Sequence, residues 1–183
     1  MKIAISGFQG TGKSTICSGL TFNLKMKSVN CGVVTGIARG SHLMLSNDFS
    51  PLMHLEIISM HITAECRSQF KNRLTISDRS ILDYVAYAKC RFLSSTDIIE
   101  LDAINEIARV YSNSYDAIFL TNKFFGNSDN DPARIVDDVS REDFDDALYT
   151  LIRDYGLESR THRIKEDGAG HITNWISENY SNS

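Results

Sequence analysis

Gly7-Phe8-Gln9-Gly10-Thr11-Gly12-Lys13-Ser14 is the stretch that decides the fold, because it satisfies G-x-x-x-x-G-K-[ST] at every fixed position. Composition alone would produce on the order of one such match in a hundred chains of this length. The flanks weaken chance further. Lys2–Ser6 is a short, largely apolar run suited to a buried parallel strand. From about Lys13 to Lys25, Ile16, Leu20 and Leu24 recur every fourth residue, as one helix face requires. A strand, a glycine-rich turn and a helix in this order make backbone N–H groups converge on phosphate oxygens at a helix N-terminus. Gly7, Gly10 and Gly12 let the backbone approach, and Thr11 and Thr15 belong to the same phosphate-binding turn. Lys13 would reach the β- and γ-phosphates, and the Ser14 hydroxyl would ligate Mg2+. The expected ligands are therefore ATP and Mg2+.

Beyond this stretch the same alternation continues. Cys31–Thr35 reads as a second strand, and Gly36–Ser50 is rich in turns. Pro51 then starts a long helix to about Arg73, in the first turn where its missing N–H costs nothing. Leu74–Ser77 is a third strand ending at Asp78. Helices follow at about Ile81–Arg91 and Ile98–Tyr111, the second capped by Asp97 with Glu100 three residues on. Ala117–Leu120 is a fourth strand, and Thr121–Asp138 is a long polar connection. Ser140 with Asp143 opens a helix whose apolar stripe holds Phe144, Leu148, Leu151 and Ile152, and Gly156 ends it. Ser159–Ile164 is a weak fifth strand, and a last helix at about Ala169–Asn179 carries Ile172, Trp175 and Ile176 on one face. Five strands alternating with helices predict one doubly wound α/β domain over residues 1–183, with a parallel sheet between helical layers.

Composition excludes several classes. With 183 residues, 42% hydrophobic and 23% charged, the chain has the make-up of a globular domain and not of a disordered one. A net charge of −4 argues against duplex nucleic acid, where phosphate neutralisation demands a basic face. No apolar run reaches the ~18–20 residues of a membrane span, and the N-terminus lacks a secretory h-region, so the expected location is the cytoplasm, away from membranes. Cys17, Cys31, Cys66 and Cys90 form no C-x-x-C and read as buried reduced thiols. His54 and His61, seven apart on one helix, read as packing residues and not as a metal pair.

A phosphate-binding loop names the nucleotide but not the reaction. Asp78, at the end of the third strand, stands where a carboxylate would hold Mg2+ or its water. Arg79 beside it can offer a planar fork to an anionic substrate, in the crevice where α/β sheets bind ligands. Asp83 and Tyr84, five and six residues after Asp78, suit substrate contact and also capping or core packing. Arg39, just after the second strand, suits an anion or the protein surface.

The loop, the segment DRSILDYVAYA (78–88) and the segment DDVSREDFDDAL (137–148) together resemble small P-loop kinases of the thymidylate-kinase and deoxynucleoside-kinase group. They are especially similar to compact ATP-binding kinases often found in bacteriophages and to the nicotinamide riboside kinase domain. The resemblance runs from Met1 to about Gly156. It implies the P-loop NTPase fold with a five-stranded parallel sheet, ATP with Mg2+, and phosphoryl transfer to a small acceptor. It implies a lid at about 121–141 whose arginine, Arg134 or Arg141, neutralises charge on the moving phosphoryl group, while the segment around Arg39 meets the acceptor. The family often writes the lid arginine in a D-G-V-R string. Here Asp138-Val139-Ser140-Arg141 is shifted by one residue, so the choice stays open.

The acceptor follows from what is absent. Nucleoside kinases usually keep a carboxylate at the end of the second strand to deprotonate a hydroxyl. Here that place reads Val34-Thr35-Gly36. A monophosphate needs no base, because it is already an anionic nucleophile, and Arg39 and Arg79 can hold it. This favours a (deoxy)nucleoside monophosphate kinase. A nucleoside or nicotinamide riboside kinase using Asp78 as base is the alternative. A GTPase switch fits less well: Asn122-Lys123 begins N-K-x-D, yet Phe125 fills the aspartate position, and Ile81 stands where D-x-x-G needs glycine. A nucleotide-binding interaction module is a further reading. The acceptor pocket is expected along the Pro51–Arg73 helix with Phe8 or Tyr84. A small nucleotide or nucleoside is the expected partner, and a homodimer is left open.

Overall fold

The computed structural model describes residues 1–92, 99–121, 139–165 and 167–180. Five strands form one parallel sheet in the order β2-β3-β1-β4-β5: β1 Lys2–Ser6, β2 Cys31–Val34, β3 Leu74–Asp78, β4 Ala117–Leu120 and β5 Thr161–Arg163. The helices are α1 Lys13–Met26, the short α2 His42–Leu45, α3 Pro51–Lys71, α4 Ile81–Arg91, α5 Ile99–Tyr111, α6 Arg141–Asp154 and α7 Gly168–Asn179. The predicted α/β architecture and parallel sheet are what the chain adopts.

Alternating side chains of the central strands divide the core in two. Ile3, Ile5, Ala117 and Phe119 face α1 and α7, packing with Leu20, Leu24, Ile172 and Ile176. Ala4, Ile118 and Leu120 face the other layer, where α3, α4, α5 and α6 contribute Ile57, Leu82, Val85, Ile104, Phe144 and Leu148. Both faces of the sheet are covered, which is why β1 and β3 are buried at every residue. Caps fix several helix entries. Ser140 accepts from the Asp143 N–H and starts α6 where the sequence placed it, and Asp167 does the same for α7 from the Gly170 N–H.

Differences from expectation are local. Turn-rich 36–50 holds a 3-10 turn at Ala38–Gly40 and α2, and Ser159 and Arg160 belong to a 3-10 turn ahead of a shorter β5. The cysteines are free, but only Cys17 and Cys31 are buried; Cys66 is exposed on α3, and Cys90, near the end of α4, is half-buried at the edge of the core. Asp97, Arg134 and the predicted lid from 122 to 138 lie outside the described residues.

Register sets the site. Ile5 pairs with Asp78 and Ser6 with Leu120, so the carboxyl ends of β1, β3 and β4 finish together. From β1 the chain goes one way to β2 and β3 and later the other way to β4 and β5. That reversal opens the crevice in which open α/β sheets bind ligands.

Candidate functional site

Three glycines shape the loop after β1. Gly7 has φ +142°, Gly10 +76° and Gly12 +77°, backbone that L-residues with a Cβ rarely adopt. At Gly7 space is also closed, since a Cβ there would overlap the Thr121 hydroxyl. Thr121, directly after β4, buttresses the loop: its Oγ1 lies 2.7 Å from Thr11 Oγ1 and donates to the Ser6 carbonyl at 3.0 Å.

Lys13 begins α1 and is buried inside the loop. Its ammonium donates to the carbonyls of Gly7 (2.8 Å) and Phe8 (2.6 Å). Burial, and after it the neighbouring Arg79 charge, pushes Lys13 well below the ordinary lysine range, while Asp83 and Asp78 pull it back. A cation so placed is held by neutral carbonyls and gains from an arriving anion. Ser14 and Thr15, the next two residues, stand exposed on the first turn of α1.

Asp78 ends β3 with one oxygen in a hydroxyl pair. Its Oδ2 accepts from Ser14 Oγ at 2.6 Å and from Thr35 Oγ1 at 3.1 Å. A carboxylate and a hydroxyl meeting here are hard oxygen donors of the kind Mg2+ takes while keeping several waters. Among the described residues no cluster of three or more His, Cys, Asp or Glu side chains could hold a metal by itself.

Arg79 follows in a left-handed backbone conformation, φ +92°, with its N–H bonded to the Ile5 carbonyl. Its guanidinium lies over the Tyr87 ring, 5.5 Å from the centroid, and 3.7 Å from Asp83 Oδ2. The Tyr87 hydroxyl in turn accepts from the Gln9 N–H at 3.2 Å.

Lys13, Ser14, Asp78 and Arg79 are thus brought together, and Asp83 lies beside them against Arg79. Asp83 is fully buried on the side of α4 that faces β1, where Ser6 and Gly7 bond it. Tyr84 turns the other way, toward α3, and its hydroxyl sits 3.3 Å from His61 Nδ1. Both are closed off, because every residue of α4 from Ile81 to Ala88 is buried. Phe8 is buried and packs against Tyr87 and Phe144. Arg39 is exposed on the 3-10 turn after β2. Arg141 is the first residue of α6 and pairs with Asp145 at 3.4 Å.

Beneath the site lies a buried charge network that the sequence reading did not find. Lys2 Nζ donates to Glu65 Oε2 at 2.9 Å and to Ser114 Oγ at 2.6 Å. Glu65 Oε1 accepts from His61 Nε2 (2.9 Å), Tyr115 OH (3.0 Å) and Ser77 Oγ, the neighbour of Asp78. The Tyr115 oxygen also accepts the Ile81 N–H that opens α4. His61 is thereby a core residue, and His54 is buried edge-on against Phe92, with burial pushing its ring down to about 4.

A family model described as an AAA domain matches residues 2–167. The chain belongs to that family. Among solved structures, this AAA domain is similar to the NadR protein in complex with NAD and AMP-PNP, at TM-score 0.76 and 15% identity, covering 100% of this chain and 50% of that one. It is also similar to deoxyadenosine kinase from M. mycoides with bound dCTP, at TM-score 0.62 and 16% identity over 97% of this chain and 100% of the other. Thymidylate kinase from Candida albicans gives TM-score 0.61 and 17% identity over 100% and 93%. The domain spans half the length of the NadR chain it matches. No curated protein matches the sequence. At such identities the likeness is one of fold, and the fold is that of the small P-loop kinases the sequence resembles. Among the described residues no helix is long and apolar enough to cross a membrane.

Proposed function

We propose that this chain is an ATP-dependent phosphotransferase whose acceptor is a (deoxy)nucleoside monophosphate. The observation that carries the proposal is the meeting of Lys13, Ser14, Asp78 and Arg79 at the carboxyl ends of β1 and β3. In this reading the loop N–H groups and the start of α1 bind the triphosphate, and Lys13 exchanges loop carbonyls for phosphate oxygens. Ser14 and Asp78 would hold Mg2+, which when bound neutralises charge on the phosphates. Arg79 holds the acceptor anion in line, with Arg39 as a second candidate, and Arg141 or Arg134 serves from the lid segment.

The acids around the site support a monophosphate over a hydroxyl acceptor. Asp78 Oδ2 already serves Ser14 and Thr35. The acids that follow β2 are spent on local turns: Asp48 accepts the Ser50 N–H, and Glu56 accepts from Ser41 Oγ and from the N–H groups of His42 and Leu43. A monophosphate brings its own nucleophilic anion and needs none of them. Phosphorylation of a nucleoside or of nicotinamide riboside is the second reading, favoured by the likeness to NadR and to deoxyadenosine kinase, and there Asp78 would be the base.

The test is an ATP-consumption screen over deoxynucleoside monophosphates, nucleosides and nicotinamide riboside, with mass detection of product. Transfer to a monophosphate supports the proposal. Inert monophosphates beside a phosphorylated nucleoside would replace it with the second reading.

A further inference from the structure

The proposed chemistry leaves Asp83 without a task, although burying a carboxylate completely is costly unless it is paired. Its two oxygens face two different parts of the site. Oδ1 accepts from Ser6 Oγ at 2.7 Å and from the N–H of Gly7, the first loop glycine, at 3.2 Å. Oδ2 faces Arg79 Nη1 at 3.7 Å, close enough for an ion pair and too far for a hydrogen bond. Both of these atoms are buried, and neither has a hydrogen-bond partner among the described residues. Tyr87 makes a parallel link, with Arg79 over its ring and its hydroxyl on the Gln9 N–H.

We propose that Asp83 is a positioning residue that couples the phosphate-binding loop to Arg79, so that occupation of the loop is felt at the acceptor arginine. Ser6 and Gly7 fix Oδ1 and with it the orientation of the carboxylate, which leaves Oδ2 3.7 Å from Arg79, short of a hydrogen bond. Movement of either partner alters what the carboxylate gives the other. In a site shielded from water such a shared charge acts strongly over the 3.7 Å to Arg79. The inference rests on the nucleotide-binding half of the proposed function and not on the identity of the acceptor.

A double-mutant cycle tests it, with AMP-PNP and Mg2+ as the probe and titration calorimetry on native chain, Arg79→Gln, Asp83→Asn and the double variant. Arg79→Gln should weaken AMP-PNP roughly five- to tenfold in the native background and less than twofold beside Asp83→Asn. Equal losses in both backgrounds overturn the proposal, whereas a merely structural Asp83 would weaken binding without coupling to position 79. Because Asp83→Asn can fail to fold, a second measurement keeps Asp83 in place. The Gly7 amide resonance should move in Arg79→Gln without any ligand, and an unmoved resonance overturns the link. If the native chain binds no AMP-PNP, the proposed function falls, and the Gly7 resonance still decides the role of Asp83.

Discussion

Replacing Glu65 with Gln keeps the side chain's shape and removes its charge from the network under the site. The partner left behind is Lys2, 1% exposed, with Ser114 Oγ and the ring faces of Tyr111 and Tyr115 at 3.9 and 4.5 Å as its remaining company. Removing one member of a buried ion pair costs about 3–5 kcal/mol. The shift in Glu65's acidity points to the same size of effect. Burial would raise Glu65, but the His61 bond, the charges of His61 and Lys2 and the Ser77 bond bring it from 4.5 down to about 2. That difference is worth about 3 kcal/mol, at ~1.4 kcal/mol per pH unit. For a chain of 183 residues, 3–5 kcal/mol should lower Tm by about 6–20 °C. Because the folded value lies below the unfolded one, this contribution is complete above pH ~5 and is lost as pH falls toward about 2. Thermal melts and urea titrations at pH 7, 5 and 3 read both effects. Glu65→Gln should melt lower at pH 7 and lose less on acidification than the native chain. A Gln variant melting within about 2 °C of native at pH 7, or falling as steeply with acid, would refute the reasoning.

Three further outcomes follow from the site. Lys13→Ala should lower phosphoryl transfer about 10²–10³-fold, since it removes the cation that meets developing charge on the phosphates; near-native turnover in a coupled assay would exclude that role. Arg79→Ala should raise KM for a monophosphate acceptor about ten- to a hundredfold, the worth of a charge-assisted bond, while Asp78→Asn should mainly lower kcat and shift the Mg2+ requirement; the reverse pattern in steady-state kinetics points to a hydroxyl acceptor. Gly7→Ala combines a forbidden φ with overlap on Thr121, so AMP-PNP binding should be lost or the melting point should drop, and a variant native in both would contradict the loop geometry.

How far the sequence could be read depended on whether a signal was local. Strand β1, the glycine turn and α1 lie within Lys2–Met26, so their periodicity and fixed spacing exposed both the fold and Lys13 and Ser14. Asp78 and Arg79 were legible because a carboxylate at a strand end has few other uses. Lys2 and Glu65 are 63 residues apart and meet only after the sheet forms, so neither shows a pattern by itself. Thr121 and Thr35 look like ordinary polar residues after apolar strands, and only the shared register of the strand ends gives them partners. Asp83 and Tyr84 were left between substrate contact and core packing, because what each helix residue meets depends on how α4 is placed against β1 and α3. Tyr87 carries no local signal that separates it from any buried aromatic, although its hydroxyl holds the loop at Gln9.

The left-handed backbone at Arg79 has a consequence for anyone seeking a hardier version of this molecule. An L-residue in that conformation costs of order 1–3 kcal/mol, which glycine would not incur. Glycine at position 79 would release that strain but would leave the buried Asp83 without its guanidinium, and breaking a buried pair costs about 3–5 kcal/mol, which offsets the gain. The strained backbone at this position is thus held by the ion pair its side chain makes, and a library screened for heat resistance should keep arginine there.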